Sequence, residues 1–161
     1  MVTEKEIRTQ SIDGAAKRRR RALNDLLSGT FNSILRVEEK SLQNRLTQGL
    51  SISEIHTITA IGLHEMNPMS AVAARLDVTL ATLTVAVNKL VTKGFVLRHR
   101  GEADRRQVFI TLTCAGRKVY RAHELFHKHM IDEALIGLSL EEEEVLATAL
   151  LKVKSFFDEQ G

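Results

Sequence analysis

A chain of 161 residues with 43% hydrophobic content can bury one core, and 23 Lys and Arg against 20 Asp and Glu tolerate an anionic partner without requiring one. One proline, 4% aromatic residues and no tryptophan leave aliphatic side chains to build that core, which favours packed helices over a β-sandwich. The single Cys114 excludes an intrachain disulfide, and charge or polarity breaks every apolar run before the roughly 18 residues of a membrane span. With no apolar leader, the expectation is a mainly helical cytoplasmic protein that does not meet a membrane.

In chain order, residues 1–16 show no apolar period and read as a flexible tail, followed by the basic run Lys17 to Arg21 as a solvated face. From about 20 to 47, Leu23, Leu27, Phe31, Ile34, Leu35, Leu42 and Leu46 recur three or four apart, mostly, and predict one long one-sided helix. Ser51 and Glu54 have capping-box spacing for a short helix carrying Ile52, Ile55, Ile58 and Ile61, which Gly62 and Pro68 close. Ser70 can cap a brief helix with Val72, Ala73 and Leu76, and Thr79 another with Leu83, Ala86, Val87 and Leu90 that stops at Gly94.

Beyond Gly94, the runs Phe95 to Arg100 and Val108 to Thr113 are rich in β-formers and predict a hairpin with a charged tip. Thr113 then caps a long helix holding Val119, Ala122, Phe126, Met130 and Leu135. Ser139 with Glu142 caps the last, which holds Val145, Leu146, Leu150, Val153, Phe156 and Phe157. The expected organisation is a tail over 1–16, a dimerisation helix over 17–50, a DNA-binding lobe over 51–113 and C-terminal dimerisation helices over 114–161.

Helix, tight turn, helix and basic hairpin follow the order of a winged helix-turn-helix, whose second short helix enters the major groove. With Leu83, Val87 and Leu90 inward, helical spacing throws Ala81, Thr82, Thr84, Val85, Asn88 and Lys89 outward. Small apolar groups there suit thymine methyls, hydroxyls suit bases or phosphate, and Asn88 suits adenine or phosphate. Thr79, at the positive helix start, suits a phosphate. At the hairpin tip Asp104 can brace an arginine two residues on, while Arg106 reaches a narrow minor groove and Arg98, Arg100 and Arg105 add phosphate-facing charge.

At Asp104-Arg105-Arg106 and Leu112-Thr113-Cys114-Ala115-Gly116 the chain resembles the MarR family of bacterial regulators, whose wing carries Asp-x-Arg followed by Leu-Thr-x-x-Gly. The resemblance runs from about residue 22 to 159 and implies a homodimer formed by the first helix and the last two. Two terminal helices with more apolar stripe than a small winged lobe can cover agree with it. Such a dimer presents two recognition helices to half-sites about one DNA turn apart, which predicts a pseudo-palindromic operator.

A narrower resemblance is to the MarR-type repressors of fatty-acid synthesis in streptococci and lactic acid bacteria. It is carried by Phe31 to Leu35 with Glu38-Glu39, Glu54 to Ile58, Val78 to Gly94, His123 to Met130 and Gly137-Leu138-Ser139. The extended, arginine-rich start departs from that pattern. This resemblance implies long-chain acyl-acyl carrier protein as corepressor. An acyl chain needs an apolar slot between dimer helices and DNA-binding lobes, for which Phe31, Ile34, Leu35, Ile58, Ile61 and Phe126 are candidates, each equally at home in plain core. Arg36, Lys40, Arg45, Arg117, Lys118 and Arg121 offer a basic rim to an acidic carrier protein.

Other readings compete. His123 and His127 stand four apart, the helical spacing by which two imidazoles share a metal, with His56, His64 or Glu124 as a third ligand, although helical histidine pairs are commonly structural. Cys114 at a helix start can favour thiolate, and so respond to an oxidant, but a small buried residue without a partner cysteine is the plainer reading. No phosphate-cradling glycine loop, nucleophile elbow or metal-hydrolase pattern supports an enzyme, and Glu141 to Glu144 read as an acidic first helical turn. A dimerisation module that does not bind DNA is the alternative of another class.

Overall fold

Six helices and three short strands form among the described residues, which are 4–42, 47, 49–63, 66–101 and 107–160 of this computed structural model, with side chains described from residue 14. The chain makes two compact units, Met1–Ile52 and Ser53–Gly161.

The first unit is helix α1 (Glu4–Leu42). It starts well before the apolar stripe does, so residues 4–16 are helical where a tail was expected. Glu, Lys, Arg, Gln and Ala in that stretch are good helix formers, no proline interrupts them, and extending a nucleated helix adds one hydrogen bond per residue fixed. Lys17 to Arg21 are exposed, as a solvated basic face should be. Leu46 lies outside the described residues.

The second unit is organised by aliphatic burial. Helix α2 (Ile52–Ile61) buries Ile55, Ile58 and Ile61, and Glu54 from its first turn sends both carboxylate oxygens to Lys93 Nζ at 2.8 and 2.7 Å. Strand β1 (Asn67–Pro68) follows and is the first surprise, since two residues give no periodic signal in sequence. It pairs antiparallel with β3 (Val108–Leu112), which also pairs with β2 (Val96–Arg100), giving the order β1-β3-β2.

Pro68 is also the N-cap of α3 (Met69–Arg75), with no side-chain cap, so Ser70 is not the cap it was expected to be. The physical reason is the φ of −62° at Pro68, which suits both a strand end and a helix entrance, and so moves the cap two residues back. Asn67 and Arg75 then lock this corner. The Asn67 amide donates to the Ile61 carbonyl at 2.8 Å, while Arg75 donates to the Asn67 Oδ1 at 2.9 Å and to the Ala60 carbonyl at 3.0 Å. Carbonyls at the end of α2, which a helix leaves without intrahelical partners, are thereby satisfied from α3 and β1.

Helix α4 (Leu80–Thr92) meets α3 across Asp77, whose φ of +51° reverses the chain and which an Asp tolerates better than most side chains. The two helices bend by 106°, within the range of helix-turn-helix units. Gly94, at φ +80°, ends α4 in a left-handed conformation that lets Phe95 N donate to the Leu90 carbonyl.

Helix α5 (Cys114–Ala134) begins at Thr113, whose hydroxyl accepts from Gly116 N at 3.1 Å and donates to the Gly94 carbonyl at 2.8 Å. A Cβ on Gly116 would stand 2.2 Å from the Phe95 carbonyl oxygen. The Leu-Thr-x-x-Gly pattern thus has a mechanical reason here. The threonine ties the start of α5 to the end of α4, and only glycine lets the two backbones approach that closely.

Cys114 is exposed, which corrects the expectation of a buried thiol. The stripe of α5 that packs inward runs through Gly116, Val119 and His123, and position 114 lies off it. Helix α6 (Leu140–Asp158) has the full capping box of Ser139 and Glu142 and buries no residue at all. No single helix among the described residues is long and apolar enough to cross a membrane.

Candidate nucleic-acid interface

Burial of Leu83, Val87 and Leu90 sets the rotation of α4, and with it the outward face. Ala81, Thr82, Val85, Asn88 and Lys89 are exposed and Thr84 is half-buried, the face that helical spacing predicts. Local bonds stiffen its start. The Thr79 side chain caps Thr82 N at 3.1 Å, its hydroxyl lies 2.8 Å from that of Thr82, and Thr84 donates to the Leu80 carbonyl at 2.7 Å.

The hairpin is coupled to this face by strand alternation. Val96 is buried, so Arg98 and Arg100 project on the same side of β2, toward the helices. Arg98 donates to Asn88 Oδ1 at 2.7 Å. Residues assigned separately from the sequence, one to a base and the other to phosphate, are therefore a bonded pair that engages the amide oxygen of Asn88 and not its NH2. On the opposite side of the sheet His99 Nε2 lies 2.9 Å from the Thr111 hydroxyl.

A groove of about 400 Å³ separates the start of α4 from the wing, bounded by Leu80 and Thr84 on one side and Arg98, Val108 and Phe109 on the other. Below the tip, Gly101 N donates to the Gln107 carbonyl at 2.9 Å, closing the ladder. Asp104, Arg105 and Arg106 lie outside the described residues, as does His64.

Of the candidate effector residues, Ile58 and Ile61 are fully buried and belong to the core of the lobe rather than to the wall of an open slot. Their helix, α2, faces inward along the Ile55-Ile58-Ile61 stripe, so the bland reading holds for these two. Phe31, Ile34 and Leu35 are exposed on α1, and Phe126 is half-buried on α5. Sequence reading missed Asn67, Arg75 and Lys93 as positioning residues. Arg75 carried a local signal as a cation in the last turn of α3, and Lys93 one as a cation at the C-cap of α4, whose partner Glu54 lies 39 residues away.

A helix-turn-helix followed by a wing of this geometry coincides with the part of the chain, residues 42–122, that matches the family model described as transcriptional regulator SarA/Rot. The chain belongs to this family of MarR-type winged-helix regulators. Among solved structures, this SarA/Rot-type regulator is similar to Streptococcus pneumoniae FabT in complex with DNA, at 37% identity and a TM-score of 0.83, over 88% of this chain and 99% of that one. Among curated relatives, it is 33% identical to the HTH-type transcriptional regulator BilQ of Clostridium symbiosum, over 66% of this chain and 74% of that protein. It is 29% identical over 49% of its length to the HTH-type regulator YhjH of Bacillus subtilis, of which it spans 45%. The protein is a DNA-binding transcription regulator and not an enzyme.

Proposed function

We propose that this regulator is a homodimeric, cytoplasmic repressor of fatty-acid synthesis genes, helped onto a pseudo-palindromic operator by long-chain acyl-acyl carrier protein. The observation that carries the reading is the 37% identity to FabT over nearly the whole of that chain, together with the sequence resemblance to fatty-acid-synthesis repressors. In this reading Ala81, Thr82, Thr84, Val85, Asn88 and Lys89 face base edges. Thr79, Arg98, Arg100 and Arg105 position the phosphates, and Arg106, oriented by Asp104, enters the minor groove. Exposed apolar side chains on α1 and on α6 support the dimer, because a lone chain leaves them in water.

Acyl-carrier protein as corepressor follows from differential affinity. A partner that favours the DNA-competent spacing of the two recognition helices raises operator affinity by the same factor that DNA raises its own. Exposed Arg36 and Lys40 on α1, and Lys118 and Arg121 on α5, supply cations for an acidic carrier.

The test is titration of the purified protein against the promoter regions of fatty-acid synthesis genes, with long-chain acyl-acyl carrier protein and with the unacylated carrier. At least a tenfold tightening by the acylated form alone is expected, about 1.4 kcal/mol of coupling. Equal affinity with and without it overturns the corepressor, and failure to select these promoters from genomic fragments overturns the gene assignment.

A further inference from the structure

From Lys17 to Arg21 helix α1 carries five consecutive cations, all exposed. At a rise of about 1.5 Å per residue that is one positive charge for each such step along the axis. Solvation accounts for their exposure but not for their concentration. Like charges three and four residues apart, as in Lys17 with Arg20 and Arg21 or Arg18 with Arg21, oppose the helix they stand on. None of the five makes an ion pair or a side-chain hydrogen bond among the described residues, and Asp25, four residues beyond Arg21, accepts from the Asn24 amide at 3.5 Å instead. A segment that repels itself and stays exposed gains most from an anion supplied from outside the chain. The run also lies ahead of every stretch that carries the family, since the resemblance to MarR-type regulators begins at about residue 22 and the SarA/Rot match at residue 42.

Three features narrow the anion. Duplex DNA carries one negative charge for about every 1.7 Å of its axis, a linear density that the run nearly equals. Four of the five cations are arginines, whose planar fork grips two phosphate oxygens at once where lysine offers a point charge. At about 3.6 residues per turn Lys17, Arg20 and Arg21 fall within roughly a third of the circumference, so one side of the helix can lie along a phosphate backbone. A membrane surface fits less well. From Gly14 to Ala22 every residue other than the cations is glycine or alanine, so the segment lacks the bulky apolar face that an interfacial helix buries among lipids.

We propose that Lys17 to Arg21 form a second, sequence-independent DNA contact of this regulator, on duplex phosphates other than those positioned by Thr79 and the wing. The contact raises affinity for any duplex and leaves the choice of sequence to the recognition helix. It rests on DNA binding by the winged lobe, and is independent of which operator or corepressor the regulator uses.

The experiment is salt-dependent binding of the full chain to a random-sequence duplex of about 40 base pairs, long enough for contacts beyond one operator. The parent is compared with Lys17→Gln, Arg18→Gln, Arg19→Gln, Arg20→Gln and Arg21→Gln combined, glutamine having a similar helix propensity. Each phosphate contact contributes about 0.9 to the slope of log K against log salt, so the glutamine variant should lose about 2 or more from that slope and bind at least tenfold more weakly at low salt. Arg18→Lys, Arg19→Lys, Arg20→Lys and Arg21→Lys combined keeps the charge and should keep the slope, at a helix content by circular dichroism matched in all variants. Lys128→Gln with Lys152→Gln, which removes exposed cations from α5 and α6, should leave the slope unchanged. An unchanged slope in the glutamine variant, or an equal loss in the Lys128 and Lys152 variant, overturns the contact. A glutamine variant that keeps the DNA slope but loses binding to phosphatidylserine vesicles overturns it in favour of a membrane, and a parent that binds no duplex at low salt overturns DNA binding by the lobe along with it.

Discussion

In the winged lobe Ile55, Val72, Leu83 and Leu90 keep at most 1% of their surface in water, while on α6 Leu140, Val145, Leu151 and Phe157 keep 64% to 80%. The residue types are alike, so composition does not separate the two regions; what separates them is whether the chain supplies a cover. In the lobe, α2, α3, α4 and the sheet each turn an apolar face to the others. Helix α6 carries an apolar side with no neighbour among its own unit to bury it, although its capping box makes the helix itself well started. The lobe is complete as a folded object, and α6 is complete only once something apolar lies against it. A second copy of the chain is the cover that the proposed function supplies.

The largest expected effect comes from abolishing that cover. Leu150→Asp combined with Phe157→Asp places two charges on one face of α6, seven residues apart, and should leave a folded monomer by sedimentation. Operator affinity should then fall roughly 100-fold or more, since two linked half-site contacts become one. A variant that sediments as a dimer would break the comparison outright.

A pair of milder truncations sharpens it. Leu90→Ala should cost about 2–5 kcal/mol in denaturant melts at every protein concentration, because it opens a cavity in a closed core. Leu150→Ala should cost stability only where the dimer forms, so its melting temperature should drift toward the parent value as the protein is diluted. Identical concentration dependence for both would mean that the lobe also relies on a partner.

The smallest effect is local to the recognition helix. Thr79→Ala removes the cap on Thr82 N and should cost about 1 kcal/mol of stability, read as a shift in urea midpoint at unchanged slope. A silent substitution would show that the sheet and α3, rather than the cap, hold the start of α4.

Much of this architecture is readable without coordinates, for identifiable reasons. Caps at Thr79, Thr113 and Ser139 act over three residues, and the outward face of α4 follows from a 3.6-residue period, so neighbouring residues alone specify them. Other features depend on distant partners. Asn88 and Arg98 are ten residues apart across a chain reversal, Glu54 and Lys93 thirty-nine, and Thr59 and His123 sixty-four, and no local pattern announces such pairs. Ser70 failed as a cap because Pro68, drawn into pairing with Phe109, had already begun the helix.

Periodicity, capping and turn chemistry are properties of short stretches, so the amino-acid sequence alone determined the order of the elements, the face that α4 turns outward and the family motif at the start of α5. Tertiary structure alone decided what that motif is for, since the glycine at 116 is required by a carbonyl oxygen twenty-one residues earlier in the chain. It likewise decided which of the six candidate lining residues are core, and that His56 of α2 stands beside His123 of α5. Each of these depends on packing in three dimensions, where distance along the chain no longer measures distance in space.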